Sequence, residues 1–192
     1  MYTLVFATNN QHKVDEIQSL VGKDFHIIPL KEAGINIDIP EPHDNLKDNA
    51  AEKARTIHQL TQKNCFSEDT GLEIDFLKGA PGVKSARYAG ENRDFQANID
   101  KVLLELNNTS HRAAQFRTVI CLIWENKEFY FEGICKGNMT NEMHGEKGFG
   151  YDPIFIPTGS TKSFAEMAME EKNTFSHRQK AVTQLFSFLK SL

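Results

Sequence analysis

The chain has 192 residues, 40% hydrophobic and 25% charged, with a net charge of −4, enough for one sizeable core in an ordinary globular balance. That sign, without clustered Lys and Arg, excludes an electrostatic footprint for duplex nucleic acid. Cys65, Cys121 and Cys135 are odd in number and widely spaced, which suggests neither a zinc site nor a disulfide framework.

The opening MYTLVFATNN has no basic n-region and no cleavage site, and its apolar run is far too short for a membrane span. The expectation is a reduced, cytoplasmic protein with no membrane or nucleic-acid partner. Residues 2–7 read as a buried strand. Residues 10–21 follow as a helix, with Val14, Ile17 and Val21 at helical spacing. Residues 25–30 form a second strand, and Pro40 and Pro42 mark a loop. Asp44 is then expected to cap a helix reaching about Gln62, with Leu46, Ala50, Ile57 and Leu60 inward. Asn45, Asn49 and Lys53, four apart, share another face of it.

Residues 64–68 predict a strand that stops at Glu68-Asp69, turns at Thr70-Gly71, and continues or pairs as 72–77. The Gly-rich run 79–90 reads as irregular. Phe95, Ile99, Val102, Leu103 and Leu106 mark a helix. Residues 116–124, apolar on both faces, belong centrally in a sheet. A turn at 125–127 leads into 128–135 as a hairpin. Residues 152–156 predict a further strand and 177–189 a closing helix. Helices interleaved with strands and a late hairpin indicate an α/β fold with a mixed sheet, in a single domain over 1–192.

The polar segments carry the chemistry. TNNQHK, residues 8–13, lies where a helix N-terminus offers N–H groups to an anion, but it lacks the glycines of a Walker loop, and taken alone it reads first as an Asn-capped helix with a surface lysine. In SEDTG, successive strand residues point to opposite faces. Glu68 and Asp69 therefore cannot both serve one site while the strand persists; one aims at the site and the other braces. One well-aimed Asp with a distant partner suffices for magnesium, although Asp-Thr-Gly is also good turn chemistry. In GEKGFGYDP, residues 145–153, glycines admit close backbone approach, and Phe149 and Tyr151 can stack on a base. Asp152, preceding Pro153, is expected to be extended. In EEKNTFSHR, residues 170–178, His177 and Arg178 in a helix's first turn oppose the helix dipole and ask for an anionic or hydrogen-bonding partner. Taken together these segments describe a nucleoside-phosphate site.

The order TNNQHK, SEDTGL, GAPGVKSARYAG, GFGYDPIF and KNTFSHR resembles the inosine/xanthosine triphosphate pyrophosphatase family over residues 4 to about 181. The resemblance implies an elongated mixed β-sheet flanked by helices, two lobes with a central cleft, and a homodimer. It implies an Mg2+-dependent nucleoside triphosphate pyrophosphatase, a hydrolase that converts ITP, dITP and XTP to the monophosphate and pyrophosphate and so cleanses the nucleotide pool. Carried over by position, Thr8, Asn9, Asn10, Gln11, His12 and Lys13 wrap the triphosphate, with Lys53 near the phosphates. Glu41 and Asp69 hold the metal, with Glu68 a conditional ligand, and Asp69 accepts the proton of the attacking water. Thr70 contacts substrate. Phe149, Gly150, Tyr151 and Asp152 bind the base, and Lys172, His177 and Arg178 complete the contacts. Glu-Asp-Thr-Gly stands where many bacterial relatives have Asp-Asp-Ser-Gly, and the spacing after Glu41 also departs from the usual pattern. A Maf-like nucleotide pyrophosphatase and a non-catalytic nucleotide sensor are the competing readings.

Overall fold

The computed structural model describes residues 2–192. In chain order the elements are β1 (Tyr2–Phe6), α1 (Gln11–Leu20), β2 (Phe25–Pro29), α2 (Leu46–Thr61), β3 (Cys65–Ile74), β4 (Pro81–Gly82), α3 (Phe95–Glu105), β5 (Ala113–Trp124), β6 (Lys127–Met139), β7 (Phe155–Pro157), α4 (Met169–Phe175) and α5 (His177–Lys190). The seven strands form one sheet ordered β2-β1-β3-β5-β6-β7, with β4 paired to β3. β1 runs parallel to β2 and β3, whereas β4 and β7 pair antiparallel. The sheet is mixed, as the late hairpin predicts. Among the described residues no helix is long and apolar enough to cross a membrane.

The chain forms two compact units. The first comprises the chain up to Asp69 with Thr118–Gly133 and Arg178–Leu192; the second comprises Thr70–Arg117 and Ile134–His177. In the first unit, strand alternation sends Leu4 and Phe6 to one face and Val5 and Ala7 to the other. Leu4 and Phe6 pack with Val14 and Ile17 of α1 and Ala181, Val182 and Leu185 of α5. Val5 and Ala7 pack with Ala50, Ala54 and Ile57 of α2. A strand covered on both faces must be apolar throughout, which is why β1 reads as a continuous hydrophobic run. The second unit has its own core, built from Leu72 and Ile74 of β3, Ile99 and Val102 of α3, Phe116 of β5 and Phe155 and Phe164 beyond.

Several expectations are corrected. β3 does not stop at the acids but runs unbroken through Glu68, Asp69, Thr70 and Gly71. Gly71 is there for proximity rather than for a turn: a Cβ would come within 2.7 Å of the Gly82 carbonyl oxygen on β4. Residues 152–154 form a 3-10 turn rather than the start of a strand, so Asp152 is not extended. α2 begins one residue later than expected. Asn45, not Asp44, is its N-cap, accepting the Asp48 N–H at 2.9 Å. Leu60 lies beyond the core and is 60% exposed, while Ala54 takes the inward place. The hairpin turn tightens to Glu125 and Asn126, both at positive φ, the conformation that a two-residue turn matched to strand twist requires.

The cap assignment is testable by urea unfolding. Asn45→Ala is expected to cost about 1 kcal/mol, whereas Asp44→Ala stays within about 0.5 kcal/mol of the parent.

Candidate active site

In the first unit, β1 delivers the chain to α1 through the TNNQHK segment. Asn10 caps α1, accepting the Lys13 N–H at 3.3 Å. Thr8 Oγ1 accepts from the Asn10 N–H at 3.2 Å, and Asn9 Nδ2 donates to the Ile37 carbonyl at 2.8 Å. The loop is thus fixed at both ends, with Gln11 and His12 exposed and Lys13 half-buried.

Because β3 is unbroken, its neighbouring acids face different partners. Asp69 turns toward α2, where Lys53 Nζ donates to Asp69 Oδ1 at 2.9 Å and to Glu41 Oε1 at 2.6 Å. One ammonium therefore holds two carboxylates. Burial alone pulls Lys53 down, but Asp69 and then Glu41 outweigh it and its pKa lies above the ordinary lysine value. Asp69 moves up as well. Its burial is the largest cause and the Glu41 charge adds to it, against the attraction of Lys53 and Lys13. The Lys53 ammonium faces two carboxylates, whereas those two carboxylates share its single charge.

Glu68 meets a different set of hydrogen-bonding partners, with the Lys13 charge felt by both acids. Its carboxylate receives Arg178 Nε at 2.8 Å and Nη2 at 2.9 Å, and Lys13 Nζ lies 3.1 Å from Oε1. Arg178 Nη1 donates to Glu16 Oε2. All three acid–arginine partners are buried. Burial pushes Glu68 up, but Arg178 and Lys13 reverse it and bring its pKa to about 2. Arg178 is raised above its ordinary value despite burial, by Glu68 and then Glu16. The anionic partner that the first turn of α5 asks for is thus found inside the protein.

Asp69 and Glu41 present a donor set that suits magnesium, which takes one or two carboxylates and completes its shell with waters and phosphate oxygens. Their convergence on a single cation, the Lys53 ammonium, is the observation behind that fit. Among the described residues no group of three or more His, Cys, Asp or Glu side chains is gathered for a metal. With Glu68 committed to Arg178 and Lys13, the pair Glu41 and Asp69 stands apart from it.

In the second unit the glycine loop wraps a carboxylate. Gly148 has φ +76°, and a Cβ there would meet Asp152 Oδ2. That oxygen accepts the Phe149 N–H at 2.9 Å and Lys172 Nζ at 2.6 Å. Lys172 Nζ also lies 5.4 Å from the Phe149 ring centre. The two aromatics differ from the expectation of a matched pair. Phe149 is half-buried, while Tyr151 is a core residue whose hydroxyl donates to the Ser85 carbonyl at 2.8 Å. Gly150 follows Phe149 at φ +61°. Thr70 is half-buried on β3, and buried His177 stacks on Phe116 at 4.8 Å.

Sequence reasoning missed Glu16, Asn49's buried contacts and α4. Glu16 stands three residues after Lys13 on α1, one helical turn along the same face; an acid beside Val14 and Ile17 on a core-facing helix was the available signal. Phe95, which packs at 6.2 Å from Phe149, was placed only as a helix residue.

The Ham1 family pattern matches residues 4–188 of this chain. The dITP/XTP pyrophosphatase of Flavobacterium psychrophilum is 48% identical, covering 98% of this chain and 99% of its own. That of Porphyromonas gingivalis is 50% identical, covering 98% of each. The structure of the Staphylococcus aureus Ham1 protein superposes with a TM-score of 0.89 at 37% identity, covering 98% of both chains. A HAM1 protein from Coxiella burnetii gives 0.90 at 36% identity over 100% of each.

Removing the guanidinium from the Glu16–Arg178–Glu68 network takes a buried cation away from both acids. Arg178→Met is expected to destabilise by roughly 3–5 kcal/mol at neutral pH. In the parent, Glu68 has a depressed pKa, so its contribution is present above the ordinary carboxylate pKa and is lost as pH falls toward about 2. In the variant, burial raises these acids, so protonation stabilises the fold. The stability gap, followed by urea unfolding from pH 7 to pH 4, should therefore narrow as pH falls; a gap that widens overturns the assignment.

Proposed function

The chain belongs to the Ham1 family, and from that premise we propose that it hydrolyses ITP, dITP and XTP to the monophosphate and pyrophosphate. The observation that carries this reading is the placement of Glu41 and Asp69 on one cation, with Lys13 also close enough to act on the Asp69 charge. Cleavage between the α- and β-phosphates requires water at the α-phosphorus and stabilisation of a leaving pyrophosphate. A magnesium ion held by Glu41 and Asp69 would neutralise charge on the leaving oxygens. Lys13 and Lys53 supply further positive charge where it develops. Asp69 orients the attacking water and accepts its proton. Positioning of that carboxylate supplies the larger share of the rate.

The remaining roles belong to the same proposal. Thr8 to His12 bind phosphate oxygens at the start of α1, and Thr70 contacts the substrate. Phe149 stacks on the base, with Gly150, Tyr151 and Asp152 offering backbone beside it. Lys172, His177 and Arg178 complete the substrate contacts. Because Glu68 and Glu16 hold the Arg178 guanidinium, Glu68 is read as a brace and not as a ligand. Selectivity rests on the purine 6-keto group: donors aimed at a keto oxygen are left unpaired by the adenine amine, which discriminates by orders of magnitude. The proposed working form is a cytoplasmic homodimer. A single functional domain is supported by β3, β5 and β6, each of which contributes residues to both compact units.

A pyrophosphate-release assay across nucleoside triphosphates tests the proposal. ITP, dITP and XTP should turn over at least tenfold faster than ATP, dTTP or UTP, and chelation of Mg2+ should abolish turnover. Preference for dTTP or UTP would support a Maf-like activity instead. Asp69→Asn should remain folded and lose at least a hundredfold in kcat; parental turnover by that variant would remove Asp69 from the chemistry.

A further inference from the structure

Asn49 is 1% exposed in the fourth helical position of α2. Asparagine is a poor helix former there, since its amide competes with the backbone, and burying an amide costs free energy unless its groups are paired. Both are paired with a single peptide residue. Asn49 Oδ1 accepts the His43 N–H at 2.9 Å, and Asn49 Nδ2 donates to the His43 carbonyl at 3.0 Å. His43 lies two residues after Glu41, separated from it by Pro42, whose ring fixes φ and stiffens the link. Lys53, one helical turn beyond Asn49, reaches Glu41 at 2.6 Å. The loop carrying Glu41 is therefore tied to α2 by an amide–peptide rung and by an ionic rung, and the His43 imidazole also lies 3.8 Å from Glu52 on the exposed side of α2.

We propose that Asn49 is a positioning residue that holds Glu41 beside Asp69 for the divalent cation; this rests on the metal-binding reading given above. The two rungs respond differently to that ion. A divalent cation competes with the Lys53 ammonium for the Glu41 charge, so the ionic rung weakens as the ion enters. The amide rung carries no net charge and is indifferent to it. Asn49 thus keeps the loop in register while Glu41 exchanges partners. Groups that fix a metal-binding carboxylate from behind typically change metal affinity by about 10–100-fold when removed.

The experiment is a Mn2+ titration of the full chain without nucleotide, read from the free-ion EPR signal, together with hydrogen exchange at the His43 amide. The parent should bind Mn2+ and Asp69→Asn should not. Asn49→Leu, which keeps the volume, and Asn49→Ala should each weaken Mn2+ binding about 10–100-fold and speed His43 exchange. Parental Mn2+ affinity in both Asn49 variants, beside a dead Asp69→Asn, overturns this proposal alone. Failure of the parent to bind Mn2+ overturns the metal reading and this proposal with it. His43 exchange in the parent as fast as that of an exposed loop also overturns it, and that measurement needs no variant.

Discussion

The organisation of the first unit depends on one constraint: β3 stays a strand through two adjacent carboxylates. A strand sends neighbouring side chains to opposite faces, so Glu68 and Asp69 enter different environments although one peptide bond joins them. Asp69 meets α2 and the Glu41 loop; Glu68 meets α1 and the start of α5. Gly71 lets β4 pass close to β3, where a larger residue would meet the Gly82 carbonyl.

The two environments then act on the same functional group in opposite directions. Both acids are buried, and burial alone raises a carboxylate's pKa. Around Glu68 the cations prevail: Arg178 approaches in a fork, Lys13 adds a second charge, and the pKa falls to about 2. Around Asp69 the nearest ammonium is shared with Glu41, so burial and like charge prevail and the pKa rises. The ionised acid with its full complement of partners is suited to bracing. The other acid, Asp69, has less positive charge about it. Electrostatics thus separates two adjacent acids that composition does not distinguish.

A similar economy shapes the second unit. Gly148 leaves room for Asp152, whose carboxylate gathers the Phe149 N–H and the Lys172 ammonium and so sets the geometry of the loop ahead of Pro153. That explains why residues 152–154 turn rather than extend. It also separates the two aromatics of the loop: Tyr151 is drawn into the core with its hydroxyl paired, leaving Phe149 as the ring at the half-exposed position beside Lys172.

Periodicity and caps carried much of the architecture in the sequence. The apolar run of β1, the spacing of α1 and α5, the two-sided burial of β5 and the hairpin after it follow from patterns local to each segment, and local patterns are what a sequence displays. The polar segments were legible as chemistry, and strand alternation already implied that Glu68 and Asp69 would part. What each acid would meet was not legible. Glu16 and Arg178 are 162 residues apart, and Lys53 and Asp69 come from different elements. Pairings across such distances are fixed by packing and leave no local period. The Asn45 cap, the unbroken β3 and the buried amide of Asn49 were decided in the same way. Each depends on a neighbour's backbone arriving within hydrogen-bond or van der Waals distance, and only the folded chain determines that.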